Sequence, residues 1–265
     1  MPPVKKRART YDPVKIRAAV LAQLGNVRDG VHALNDVQLA LTAGLGEWTV
    51  RELAAHLAMT VESVSRNLGR PEPAARELAL LDWPFATAAW AGDIDADSRE
   101  LAERNPDLDA LYACTEQRIT EHLATAPDGR LLVTRTGSMT LAEHLVTRIV
   151  ELVVHTDDLN RAVPGLDIPY DRQALAACTR LLADTLAVKA PGASTEVRIP
   201  PYAVVQCVEG PRHTRGTPPN VVETDPLTWI RLATGRTDWK AALDDAKVSA
   251  SGERADLGDL LPLMG

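Results

Sequence analysis

Apolar residues recur at helical spacing along most of the first 163 positions, and the pattern predicts a run of helices. Asp12-Pro13 opens a helix to about Leu34, with Asp at the cap and Pro at the first helical position. Thr49-Val50-Arg51-Glu52 reads as a capping box, and the helix behind it runs to Leu68 before Gly69 and Pro71. A helix is expected near Phe85–Arg104, another from Asp107 to about Thr125, and an extended segment at Arg130–Thr136. Thr140-Leu141-Ala142-Glu143 reads as a second capping box, opening a helix to about Arg161.

The period changes after Val163-Pro164-Gly165. One more helix is expected over Asp171–Val188, and alternation then predicts strands at Thr195–Ile199, Ala203–Glu209 and Asn220–Thr224. A helix interrupted near Gly235 follows at Pro226–Leu243, then a strand at Lys247–Ser251 and a helix at Leu257–Met264. The division expected is a tail at 1–11, a helical bundle at 12–163 and a smaller α+β domain at 164–265.

The helix from Leu141 to Arg161 carries the chemistry. His144, Arg148, Glu151, His155 and Asp158 follow one another at +4, +3, +4 and +3. At roughly 100° per residue they share a wedge of about 80°, and Leu, Ile and Val cover most of the rest. A helix apolar on most sides is normally buried. Ionisable groups there are costly unless paired or ligated. Glu151 and His155, four apart, converge as half of a metal site. His56 borders the apolar stripe of the helix that starts at Thr49 and is the best third ligand. Two His and one carboxylate leave an open position, as in catalytic zinc and ferrous iron sites. A buried helix whose polar residues pair with one another would carry the same pattern. His144 is placed at the pocket wall or behind the ligands. Arg148 pairs with Glu151 or clamps a substrate carboxylate, and Asp157 and Asp158 cap charges or orient His155.

Composition adds limits. The net charge is −7, with 45% hydrophobic and 4% aromatic residues. Such an acidic chain is a poor general partner for nucleic acid. Three scattered cysteines imply no disulfide framework, and a reducing cytoplasm is the simplest setting. The basic start, Lys5-Lys6-Arg7, lacks the apolar stretch of a signal peptide, and no apolar run is long enough to insert into a membrane. The oligomeric state is open.

Trp48-Thr49-Val50-Arg51-Glu52-Leu53-Ala54-Ala55-His56-Leu57, followed downstream by Glu151-Leu152-Val153-Val154-His155-Thr156-Asp157-Asp158, resembles the mycothiol-dependent maleylpyruvate isomerase family. The resemblance implies a DinB-like four-helix bundle over about residues 12–163, with a metal, usually zinc, on the positions matching His56, Glu151 and His155. It implies a mycothiol-like thiol cofactor and isomerisation or transfer on a small, anionic substrate. Asp225–Arg236 and Lys247–Gly252 resemble the family's sterol-carrier-like second domain. The segments Ser63–Asp107, Pro200-Pro201 and Pro218-Pro219 match nothing in the family, so substrate residues do not carry over.

Three other readings compete. Val50–Arg66 resembles a helix-turn-helix, with Ala58 where the turn glycine would stand and Glu62 where phosphates would approach. A carrier of lipid or another small ligand would use the second domain, although Arg198, Arg212, Arg215, Arg231 and Arg236 point to surface or anionic contacts. In the third, the metal site is structural or vestigial.

Overall fold

The computed structural model describes residues 9–210 and 219–264. The basic run Lys5-Lys6-Arg7, together with Arg212, Arg215 and Pro218, lies outside the described residues. The helices are α1 (Pro13–His32), α2 (Asp36–Leu39), α3 (Val50–Leu68), α4 (Trp83–Ala86), α5 (Ala91–Arg104), α6 (Leu108–Thr125), α7 (Leu141–Ala162), α8 (Arg172–Lys189), α9 (Pro226–Ala233) and α10 (Trp239–Asp244). The strands are β1 (Leu131–Thr134), β2 (Gly137–Thr140), β3 (Thr195–Ile199), β4 (Ala203–Cys207), β5 (Val221–Thr224) and β6 (Val248–Ser251). No described helix is long and apolar enough to cross a membrane.

Local signals set the helix starts. The Asp12 carboxylate accepts from the backbone N–H of Val14 and Lys15, and Pro13 supplies a preset φ. Thr49 and Glu52 form the full capping box expected of them. The second box is only half made. Thr140 accepts from the Glu143 N–H, but the Glu143 carboxylate accepts from the Thr140 hydroxyl and pairs with Arg76. An arginine from the segment between α3 and α4 thus competes for the carboxylate.

Helices α1, α6, α3 and α7 follow one another around a four-helix bundle, with α5 laid against α3. The buried faces carry Val20, Leu24 and Val27 of α1, Leu53, Leu57 and Val61 of α3, and Leu145, Ile149 and Leu152 of α7. The Tyr112 hydroxyl donates to the Ala54 carbonyl across the α6–α3 seam at 2.7 Å. Helix α8 packs on α1 and α7 with one side and on the sheet with the other, so the apolar core continues into the C-terminal half. That sheet has the order β4-β3-β5-β6, with β3 and β5 parallel and the outer pairs antiparallel.

Several differences from the sequence expectation have physical causes. Arg130–Thr136 is one arm of a hairpin. The chain turns at Arg135-Thr136, and Gly137, at φ +128°, starts β2. The segment before α4 lies along this hairpin, where the Ser138 carbonyl accepts from Glu77 and Leu78 N–H. The expected helix over 85–104 is broken into α4, a turn of 3-10 helix at Ala88–Trp90, and α5. The expected terminal helix shrinks to one 3-10 turn at Gly258–Leu260. Leu261, which precedes Pro262, is extended, and the N–H groups of Leu263 and Met264 turn back to the Ala233 carbonyl. Val50–Leu68 is a single helix with Leu53, Ala54, Ala58 and Val64 fully buried, which removes the turn that a helix-turn-helix needs.

The C-terminal half is fastened to the bundle by charge. The Arg231 guanidinium of α9 donates from Nε and one Nη to the two oxygens of Asp157, at 2.8 and 2.6 Å, and Tyr170 donates to the same carboxylate. Asp157 is only 3% exposed. Gln23, fully buried in α1, donates to Thr156 of α7 and accepts from the Asp171 N–H at the start of α8. Gly30 lets Ile168 lie directly on α1, since a Cβ there would come within 2.4 Å of the Ile168 side chain. Arg231→Met strands a buried carboxylate with only Tyr170 as donor. It is expected to lower unfolding free energy in urea by about 3 kcal/mol. An unchanged midpoint would show that water already compensates Asp157.

Candidate metal centre

The five-residue stripe of α7 faces inward as its spacing requires. Glu151 stands at its middle, opposite His56 of α3. One Glu151 oxygen, Oε2, lies 3.5 Å from His56 Nε2 and 3.3 Å from His155 Nε2. The two imidazoles meet edge to face, with ring centroids 4.9 Å apart. Among the described residues, His56, Glu151 and His155 form a group whose ligand atoms all lie within 4.8 Å of one another.

The far side of each ring is fixed. Ser98 of α5 donates its hydroxyl to the Ile94 carbonyl at 2.7 Å, so its oxygen is left to accept from His56 Nδ1 at 3.2 Å. Asp158 accepts from His155 Nδ1 at 2.9 Å and is itself held by Nε and an Nη of Arg236. Both rings thereby meet an oxygen acceptor at Nδ1 and turn Nε2 toward Glu151, with the Thr60 hydroxyl also 3.4 Å from His56 Nε2. An acceptor behind Nδ1 that leaves Nε2 to face the site is the support a metal-binding histidine needs. Asp158 contacts His155, whereas Asp157 is taken by Arg231 and Tyr170.

Electrostatics agree with the geometry. Burial works to lower the His155 pKa, but the Asp158 and Glu151 carboxylates outweigh it and raise the pKa. Burial lowers that of His56, against the pull of Glu151. Burial alone would raise both acids, yet hydrogen bonds from His155 and His56 hold Glu151 well below the usual carboxylate range. His155 and Arg236 bring Asp158 down to about 2. The cluster stabilises positive charge between its carboxylates. Its donor set, two imidazole nitrogens and one carboxylate oxygen, fits a borderline divalent cation.

Two of the cavities that reach the cluster are the larger ones. One, of about 320 Å³, is walled by Leu45, Trp48, Ala91, Ile94, Asp95 and Arg236. The other, of about 290 Å³, carries Arg66, Arg70, Arg135 and Arg148, while Glu151 is its single carboxylate among the described residues. His56 and Glu151 border both. Arg135 is paired with Asp97. Among the described residues, Arg66, Arg70 and Arg148 have no carboxylate within ion-pair distance. The expected Arg148–Glu151 pair is therefore not formed. The Arg148 guanidinium lies over the Trp83 ring at 5.8 Å and donates from Nε to Thr147. His144 lies on the cavity wall, one turn beyond Arg148.

Sequence reasoning missed this second cavity although half of it was written in α3. Thr60, Ser63 and Asn67 follow His56 at +4, +3 and +4, the rhythm of the α7 stripe, and all are buried. Two facing polar stripes on oily helices enclose a polar chamber. Ser98 and Trp83 gave no local signal. Of the arginines assigned to surface or anionic contacts, Arg231 and Arg236 bind Asp157 and Asp158 internally, and Arg198 pairs with Glu196.

Fold and site together define a four-helix bundle that sets a histidine–carboxylate cluster at the floor of a cationic cavity, backed by an α+β half. The family model for the mycothiol maleylpyruvate isomerase N-terminal domain matches residues 20–160, more than half of the chain, and the chain belongs to that family. A second model, described as bacterial SCP ortholog, matches residues 171–263. Among solved structures, a mycothiol-dependent maleylpyruvate isomerase superposes with a TM-score of 0.59 at 15% identity, over 93% of this chain and 95% of that one. A histidine-to-alanine mutant of such an isomerase gives a TM-score of 0.60 at the same identity and coverage. These likenesses establish the shared fold. No curated protein matches the sequence at a significant level.

An anion that settles among these arginines relieves their mutual repulsion. Phosphate at about ten times its dissociation constant should raise the melting temperature by roughly 2–4 °C. The Arg66→Met/Arg148→Met double variant should lose that response. An equal rise in both proteins would place the anion elsewhere.

Proposed function

We propose that this protein is a metal- and thiol-dependent enzyme that isomerises, or transfers a group on, a small anionic substrate. His56 Nε2, His155 Nε2 and a Glu151 oxygen hold one divalent cation, zinc by preference. Mycothiol or a similar low-molecular-weight thiol is the cofactor. The observation that carries the reading is the convergence of two Nε2 atoms on one carboxylate, each ring fixed from behind by an oxygen acceptor.

When bound, such a cation supplies Lewis acidity that brings a thiol's pKa toward neutrality. The protein does the remaining work by position. Asp158 and Ser98 stop the two imidazoles from turning away. The arginine-lined chamber draws the substrate by its charge, and Arg148 holds a carboxylate next to Glu151. The flat face of Trp83 restricts the swing of that guanidinium. As negative charge spreads onto the substrate during attack, Arg148, which lines the same chamber as Glu151, is placed to receive it. Trp83 and Trp90 keep the chamber walls partly apolar, which strengthens these interactions.

Metal analysis of the purified full chain tests the reading. Wild type should carry close to one zinc per chain, and His56→Ala and His155→Ala should carry almost none. Wild type without stoichiometric metal at neutral pH would refute the proposal. Asp158→Asn removes the carboxylate behind His155 without touching a ligand. It is expected to weaken zinc binding about 10- to 100-fold in competition with a chromogenic chelator.

A further inference from the structure

His144 is the residue of the α7 stripe that the proposed mechanism leaves without a task. Its side chain is 3% exposed, and its Nε2 is fully buried with no hydrogen-bond partner. Buried polar atoms are rarely left so, and each such atom calls for a reason. The ring lines the chamber that holds the four arginines. Arg148 on its own helix and Arg66 on α3 are the charges that act on it. Burial first, and then these two cations, hold its pKa well below the usual value, so the ring is neutral.

Its tautomer follows from the neighbouring hydroxyl. Thr147 donates its proton to the His144 carbonyl at 2.7 Å. The Thr147 oxygen is then only an acceptor, facing Arg148 Nε at 3.1 Å and His144 Nδ1 at 3.5 Å. The ring proton therefore belongs on Nδ1, and Nε2 presents a bare lone pair. A lone pair among guanidinium groups accepts hydrogen bonds and repels carboxylates. It has a use only if the ligand brings a donor of its own.

We propose that His144 Nε2 accepts a hydrogen bond from a hydroxyl group of the substrate, so that the chamber selects hydroxylated carboxylates over plain ones. The inference rests on the anionic-substrate reading above. The Arg148 and His144 positions are four residues apart, about 6 Å along the helix. A ligand with a carboxylate at Arg148 and a hydroxyl a few bonds away meets both. An analogue without the hydroxyl leaves Nε2 buried and unpaired, which is how a polar site rejects a close relative.

Glutarate and 3-hydroxyglutarate, identical but for the central hydroxyl, are the probes, and titration calorimetry on the full chain is the readout. Wild type should bind 3-hydroxyglutarate about tenfold more tightly than glutarate. His144→Leu should bind both at the glutarate level. His144→Gln, whose carbonyl oxygen can accept, should keep part of the preference and guards against a folding defect in the leucine variant. Arg148→Met should weaken both diacids by a similar factor. Glutarate binding that depends on Arg148, with no preference for the hydroxyl in wild type, overturns the role of His144 and leaves the anionic chamber standing. A preference that survives His144→Leu overturns it equally. If neither diacid binds wild type, this inference and the anionic-substrate reading fall together.

Discussion

The structure depends on how charge is compensated along one helix. Helix α7 is packed on nearly all sides, yet it carries His144, Arg148, Glu151, His155, Asp157 and Asp158. Each would oppose folding if left alone in the core. All but His144, whose Nε2 has no partner, are met by a neighbour. Arg231 and Tyr170 take Asp157, while Arg236 and His155 take Asp158. The two imidazoles lean on Glu151, and Trp83 faces Arg148. These neighbours come from α3, from α4 and from the C-terminal half, so compensating α7 fixes where those elements sit.

That arrangement links the two halves through the site itself. Asp157 and Asp158 are adjacent in sequence, and their carboxylates go to Arg231 in α9 and Arg236 just past its end. The first contact fastens α9 to the bundle. The second aims His155. The C-terminal half thereby shapes the cluster through its support, although His56, Glu151 and His155 all lie in the bundle.

Much of this was legible in the sequence, because periodicity and caps are local. The Asp12, Thr49 and Thr140 starts, the α7 stripe and the candidacy of His56 all follow from spacing within a helix. What escaped was non-local. Arg231 reaches Asp157 across 74 residues of chain, and Arg236 reaches Asp158 across 78. Spacing cannot reveal such pairings, and an arginine on a polar stretch reads as solvated. Strand β2 escaped because four residues containing Gly137 and Ser138 have little strand propensity. They pair because the turn at Arg135-Thr136 brings them back onto β1. The chamber escaped for a different reason. Thr60, Ser63 and Asn67 are individually unremarkable in a helix, and only their match to the α7 rhythm gives them meaning.

The hairpin and the end of α3 give the chamber a property that the cluster lacks. Arg66, Arg70 and Arg135 are exposed residues at a helix end and a tight turn. Exchanging them disturbs no buried contact, whereas any exchange at Glu151 or Asp158 unbalances a helix. The rim of surface arginines is therefore free to change while the histidine–carboxylate cluster beneath it stays the same.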